Sequence, residues 1–212
     1  KKFISLLLVI VFISSILVGC GGKTETPAGG SDETEENGEQ AESKEAKIIY
    51  ALSGEPEVLD PTVNIYAQSS LVLQNLFRGL YKLDQNDKPI PAMAESHTID
   101  ETNTVYTFTL RDGIKWSDGE PLTAHDFEYS WKRVLDPEVG SGAAFYLYYI
   151  KNAQAYNEEE EGITADDVGV KAIDDKTLEV TLENPTAYFL DLLCVTAYYP
   201  VRKDIVEAEE IW

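Results

Sequence analysis

Apolar residues along the chain fall into short runs separated by turn-forming residues, and their spacing predicts alternating strands and helices from about residue 47 onward. Residues 47–52 (Lys-Ile-Ile-Tyr-Ala-Leu) form an apolar run closed by Ser53-Gly54, the pattern of a short buried strand. A loop follows through Glu55, Pro56 and Leu59-Asp60-Pro61. Between residues 69 and 81, Leu73, Leu76, Phe77, Leu80 and Tyr81 recur at helical spacing and predict an amphipathic helix against a sheet. Residues 84–87 read as a turn, and Pro89 and Pro91 as an extended passage.

Residues 104–110 carry the clearest strand pattern, with Tyr106, Phe108 and Leu110 on one face and Val105, Thr107 and Thr109 on the other. Beyond the turn at residues 117–121, Thr123 and Asp126 have the spacing of a capping box. They predict a helix bearing Phe127, Trp131, Val134 and Leu135, ended by Asp136-Pro137. Residues 143–150 are dense in aromatics, and the acidic run 158–161 before Gly162 reads as a solvated helix end or loop. Residues 169–173, a turn at 174–176 and residues 177–182 predict a β-hairpin with Leu178, Val180 and Leu182 inward. Residues 188–195 predict an apolar helix containing Cys194 as a small core residue. The order of elements predicts an α+β fold with several antiparallel strands.

The first residues follow a different pattern. Lys1-Lys2 precede an apolar run over residues 3–18 that ends at Gly19-Cys20, the layout of an export signal. Sixteen residues at about 1.5 Å each span roughly 24 Å, short of a hydrocarbon core of about 30 Å, which favours a signal over a spanning anchor. Leu17-Val18-Gly19-Cys20 resembles a bacterial lipobox, which would make residues 1–19 a lipoprotein signal peptide and Cys20 the lipidation site. Residues 20–46 read as a disordered tether, with eight acidic residues against two lysines and almost nothing to bury.

Charge and composition narrow the classes of function. The chain of 212 residues carries 17 basic and 38 acidic residues, a net −21, so nucleic acid is not expected as a partner. Without signal and tether the body still has a net charge of −17, ordinary for a soluble surface. Two cysteines 174 positions apart support neither a disulfide scaffold nor a metal ribbon. A glycosidase pair would need two carboxylates across a cleft, but Asp112, Asp118 and Asp126 sit where Asp serves turns and helix starts. His97 and His125 have no metal-cage spacing and are assigned surface or capping roles, and no serine stands in a nucleophile elbow. No catalytic residue, metal or cofactor is expected. Tyr146, Tyr148, Tyr149, Trp116 and Trp131 remain as core residues or as the wall of a ligand pocket.

Residues 106–127, from Tyr106-Thr107-Phe108-Thr109-Leu110-Arg111-Asp112-Gly113 through Trp116-Ser117-Asp118-Gly119 to His125-Asp126-Phe127, resemble the signature of the bacterial family 5 extracellular solute-binding proteins. Tyr129-Ser130-Trp131-Lys132-Arg133 with Asp136-Pro137 is similar to the oligopeptide-binding branch. Leu59-Asp60-Pro61, Leu76-Phe77-Arg78-Gly79-Leu80 and the 169–182 hairpin extend the likeness.

The resemblance implies a two-lobed periplasmic-binding-protein fold. Residues 47–77 would open the main lobe, residues 78–200 would form most of a smaller second domain, and residues 201–212 would return toward the main lobe. It implies a monomeric receptor, lipid-anchored through Cys20 on the outer face of the bacterial membrane, that hands oligopeptides to the permease subunits of an ABC importer. Ligand-facing backbone would fall on Asn64, Ile65, Tyr66 and Ala67, with a peptide-contacting tyrosine at Tyr146. The alternatives are a family receptor for a dipeptide, nickel chelate, haem or sugar, and a secreted hydrolase. Residues 80–200 are expected to fold alone, and those before about Asn75 to be mobile or aggregation-prone in an isolated fragment.

Overall fold

The alternation in residues 105–110 decides where the sheet buries its face. In a computed structural model, which describes residues 49–208, Tyr106, Phe108 and Leu110 are buried while Thr109 faces outward. This strand, β4 (Val105–Leu110), is central to a four-stranded antiparallel sheet in the order β3-β4-β6-β5 among the described residues. Its neighbours are β3 (Ala94–Ile99) and β6 (Thr177–Thr181), with β5 (Val170–Ala172) outermost. Register aligns the apolar face: Phe108 lies opposite Leu178 and Tyr106 opposite Val180, which in turn faces Val170. Such cross-strand apolar pairs are the unit of sheet stabilisation. A shorter hairpin pairs β1 (Tyr81–Leu83) with β2 (Pro89–Pro91).

Helix α2 (Ala124–Leu135) begins as the capping-box spacing predicts. The Thr123 N–H donates to Asp126 Oδ2 at 2.7 Å, satisfying a donor that has no intrahelical partner. Its apolar stripe, Phe127, Trp131, Val134 and Leu135, is fully buried. Trp131 packs edge-on against Tyr198 at 5.0 Å between ring centroids, and its indole N–H donates to the Tyr198 carbonyl at 2.9 Å. Ser130 Oγ accepts the Val201 N–H at 2.6 Å, so the helix also holds the chain that follows Tyr198.

Several expectations are corrected. Residues 49–52 form no strand and Ile49 is 83% exposed, because among the described residues no neighbouring strand is there to pair with them. The helix expected over residues 69–81 is α1 (Ala67–Leu76), in which Leu73 is buried and Leu76 is exposed. It ends where Phe77 turns extended and donates its N–H to the Leu73 carbonyl, and just beyond, the chain passes so closely under Tyr199 at Gly79 that a Cβ there would lie 2.9 Å from the ring. Leu80 and Tyr81 are buried all the same, in the hydrophobic core, with Tyr81 opening strand β1. The apolar helix expected over residues 188–195 is only α4 (Phe189–Leu192), with the buried Cys194 in the turn beyond it. Strand β3 was not foreseen. On it, His97 is half-buried rather than a surface or capping residue, with Nδ1 2.6 Å from the Tyr81 hydroxyl, and burial lowers its pKa.

The remaining elements are the short helices α3 (Ala153–Asn157) and α5 (Lys203–Ala208) and 3-10 turns at Ala144–Leu147, Ala165–Asp167 and Thr196–Tyr198. The aromatic run 143–150 therefore folds as a tight turn. Cys20, with the signal and tether assigned to residues 1–46, lies outside the described residues.

Aspartates close many of the turns by accepting backbone N–H groups. Asp100 is the strongest case: the Thr102 hydroxyl and the N–H groups of Val105 and Thr104 hold its carboxyl down at about 2, against an ordinary 3.8. The unfolded chain therefore takes up this proton near pH 3.8 and the folded chain only near 2, so the contribution is complete above pH 3.8 and is lost as pH falls toward 2. Asp100→Asn is expected to lose less stability than the parent between pH 4 and pH 2, as read by urea denaturation at fixed pH steps.

Candidate functional site

The loop before α1 is built from polar side chains that have been withdrawn from solvent. Asp60 is only 6% exposed, and its Oδ1 accepts the Thr62 N–H at 2.8 Å and the Thr62 hydroxyl at 2.6 Å. Its Oδ2 pairs with Arg133 Nη1 at 2.8 Å, and the same guanidinium nitrogen contacts the Thr62 hydroxyl. The Ser141 hydroxyl donates to the Thr62 carbonyl at 2.6 Å, joining the loop to the turn before Phe145. The loop is thus joined to the body at Arg133 and Ser141, where the charge of Asp60 finds its counter-charge.

Asn64 organises the next turn. Its Oδ1 accepts the Tyr66 N–H at 3.0 Å, while its Nδ2 donates to Ser70 Oγ at 2.9 Å and to Thr196 Oγ1 at 3.4 Å. The Asn64 side chain is therefore buried and fully occupied by the protein itself. Ile65 is the opposite: its side chain is 58% exposed, and its N–H and C=O make no hydrogen bond among the described residues. Tyr66 is half-buried and Ala67, the first residue of α1, is exposed.

Across from this loop lies the turn carrying Tyr146. An added Cβ on Gly142 would sit 3.2 Å from a methyl of Ile65, so the two segments touch because Gly142 has no side chain. Tyr146 is partly buried against the core, and the Tyr198 hydroxyl donates to its carbonyl at 2.6 Å. Phe145 stands beside it, 53% exposed, with ring centroids 4.1 Å apart. The structure thus brings Ile65 and the 142–146 turn onto one face, although they are some 80 positions apart in the chain.

Comparison with known proteins decides the family. The family model described as bacterial extracellular solute-binding proteins, family 5 Middle, matches residues 88–210. The chain belongs to this family. The chain is 40% identical over 201 residues to the dipeptide-binding protein DppE of Bacillus subtilis, covering 94% of this chain and 36% of that protein. It is 38% identical over 214 residues to the oligopeptide-binding protein OppA of the same organism, covering 100% of this chain and 37% of that one. Among solved structures, the substrate-binding domain of an oligopeptide ABC transporter from Bacillus anthracis superposes with a TM-score of 0.68 at 44% identity, over 71% of this chain and 29% of that one. The chain thus spans little more than a third of the length of the relatives it matches. Its fold is the α+β fold of a periplasmic binding protein, of which it carries a part.

Family 5 is a family of solute-binding proteins, and the polar groups of this member do structural work. Asp112 pairs with Lys176, Asp118 pairs with Arg202 and accepts the Glu120 N–H, and Asp126 caps α2. His125 is exposed, 3.6 Å from Asp175. Burial pushes the Cys194 thiol up to about 11, away from thiolate chemistry. Among the described residues, no group of three or more His, Cys, Asp or Glu side chains comes together to hold a metal.

Sequence reasoning overlooked Arg133, Ser141 and Gly142, which set the position of the Asn64 loop. The only signal was their closeness to Asp136-Pro137 and the aromatic run. Asp60→Asn removes the charge of the mostly buried Asp60–Arg133 pair, and is expected to cost about 3 kcal/mol in urea denaturation. Faster amide exchange over residues 62–66 should accompany that loss.

Proposed function

We propose that the full-length protein is an extracytoplasmic receptor that binds peptides and delivers them to an ABC import permease. The observation that carries this reading is the backbone of Ile65, unpaired among the described residues and lying on a surface loop against the turn that carries Phe145 and Tyr146. An extended peptide binds in this manner: main-chain hydrogen bonds supply affinity without demanding a sequence, and pockets accept the alternate side chains. The contribution of Asn64 is then through its backbone and its turn, since its side chain is occupied, while Ile65 offers its main chain, and Tyr66 and Ala67, whose segment is tied down by the Asn64 and Ser70 hydrogen bonds and the start of α1, flank the ligand from beside it. Tyr146 supplies part of the aromatic wall. The names of the relatives, one dipeptide-binding and one oligopeptide-binding, support the ligand class and leave two readings of its length.

In this reading residues 47–77 open the main lobe, residues 78–200 form the second domain and residues 201–212 lead back. The Asp60–Arg133 ion pair and the Asn64–Thr196 hydrogen bond then join the two parts. Peptide contacts from the remaining length of the protein complete the site, and the receptor acts as a monomer without catalysis. Lipid on Cys20 holds it at the outer face of the cell membrane, with residues 20–46 as the tether.

Calorimetry of the full-length protein with di-, tri- and hexapeptides of alanine tests the ligand class. Micromolar binding, worth about −8 kcal/mol, is expected for at least one length. Absence of heat with every peptide overturns the reading. Separately, Cys20→Ser should abolish labelling by a radioactive fatty acid and release the protein from the membrane fraction, and labelling that persists would remove the lipid anchor from the proposal.

A further inference from the structure

The segments that carry Ile65 and Phe145 hold no charged residue, in a strongly acidic protein. Residues 61–77, 139–150 and 192–201, the segments that meet here, contain no Asp, Glu, Lys or Arg, although 26% of the chain is charged and its net charge is −21. Large apolar side chains nevertheless stand open to solvent on this face, with Phe145 at 53% and Ile65 at 58% exposure. Their surface gains roughly 25 cal/mol for each Å² that a ligand covers.

Phe145 is also held in place. Its ring lies 4.1 Å from that of Tyr146 at an interplanar angle of 33°. Tyr146 is tied through its carbonyl to the Tyr198 hydroxyl, and Tyr198 is packed edge-on against Trp131 in the core. An aromatic side chain presented on a rigid support loses little conformational freedom on binding. Ile65 meets the same turn at Gly142, and its own N–H and C=O are unpaired among the described residues. One residue thus offers both a main-chain edge and an apolar side chain, and the side chain faces the turn that carries Phe145.

From this juxtaposition we infer that Phe145 and Ile65 form a side-chain subsite that selects peptides carrying an aromatic or large aliphatic residue opposite it. The inference rests on the peptide-receptor reading and adds a preference that the reading does not contain. A charged ligand side chain placed on this surface would lose its hydration with no counter-charge from the three segments, a cost that a neutral side chain avoids.

The test uses the full-length protein, its Phe145→Ala and Phe145→Leu variants, and calorimetry with trialanine and tripeptides in which each position in turn is Phe, Leu, Lys or Glu. For at least one position the parent should prefer Phe and Leu to Ala, and Ala to Lys and Glu. Phe145→Ala should weaken the Phe peptide about tenfold more than it weakens trialanine, as truncation of an interface aromatic commonly does. Phe145→Leu should restore part of the loss. If the parent binds trialanine but Phe145→Ala weakens all peptides alike, Phe145 is covered by another part of the protein and the subsite is overturned while the peptide reading stands. Equal affinity of the parent for Phe, Lys and Glu peptides also overturns it, and a parent that binds no peptide overturns both.

Discussion

A tyrosine hydroxyl taken fully out of water must find a partner, and the placing of Tyr198 organises much of this protein. Tyr198 is 0% exposed, and burial raises its phenol well above the ordinary tyrosine range, so it stays a neutral donor. The hydroxyl donates to the Tyr146 carbonyl and the backbone carbonyl accepts the Trp131 indole N–H. Three distant stretches, α2, the aromatic turn and the chain after α4, are thereby locked at one point. Two residues earlier, Thr196 accepts from Asn64 and brings in the loop before α1. A buried polar group left without its partner costs about 1–3 kcal/mol, so each of these bonds also penalises alternative arrangements.

The same principle separates structural polar groups from those available to a ligand. Asp60, Thr62, Asn64 and Ser141 are buried, and each is satisfied by another part of the chain. Ile65 has backbone groups without a partner among the described residues, and it is exposed. The rigid bracket beneath, with the Asp60–Arg133 pair at its centre, fixes the position of that open backbone. Precision at such a site comes from the supporting shell, because an extended ligand can read a main-chain edge only where that edge is held still.

Much of the fold was legible in local pattern. Strand β4, the β5-β6 hairpin and the start of α2 lie where alternation, turn residues and the Thr123/Asp126 spacing put them, because each is decided by neighbours within a few positions. Strand β3 escaped notice because Ala94–Ile99 has only Ala94 buried, so no apolar alternation marks it, and β4 supplies its hydrogen bonds. Residues 49–52 failed in the reverse way, having a strand's composition but no partner strand among the described residues. Helix α1 ends at Leu76, and the chain beyond it runs against Tyr199 at Gly79, a contact between residues 120 positions apart that no local pattern carries.

Sequence alone determined the class of this protein: its α+β order, its acidic surface, the signature over residues 106–127 and the likeness to the family 5 solute-binding proteins all follow from residue identity and short-range spacing. Only the tertiary structure decided how the candidate site is made. It turned the Asn64 side chain inward, left Ile65 open, set Gly142 against it and placed Phe145 on the same face. The physical reason is range. Periodicity and capping act across a few residues, whereas burial, ion pairing and hydrogen-bond satisfaction are settled by whichever distant segment the folded chain brings alongside.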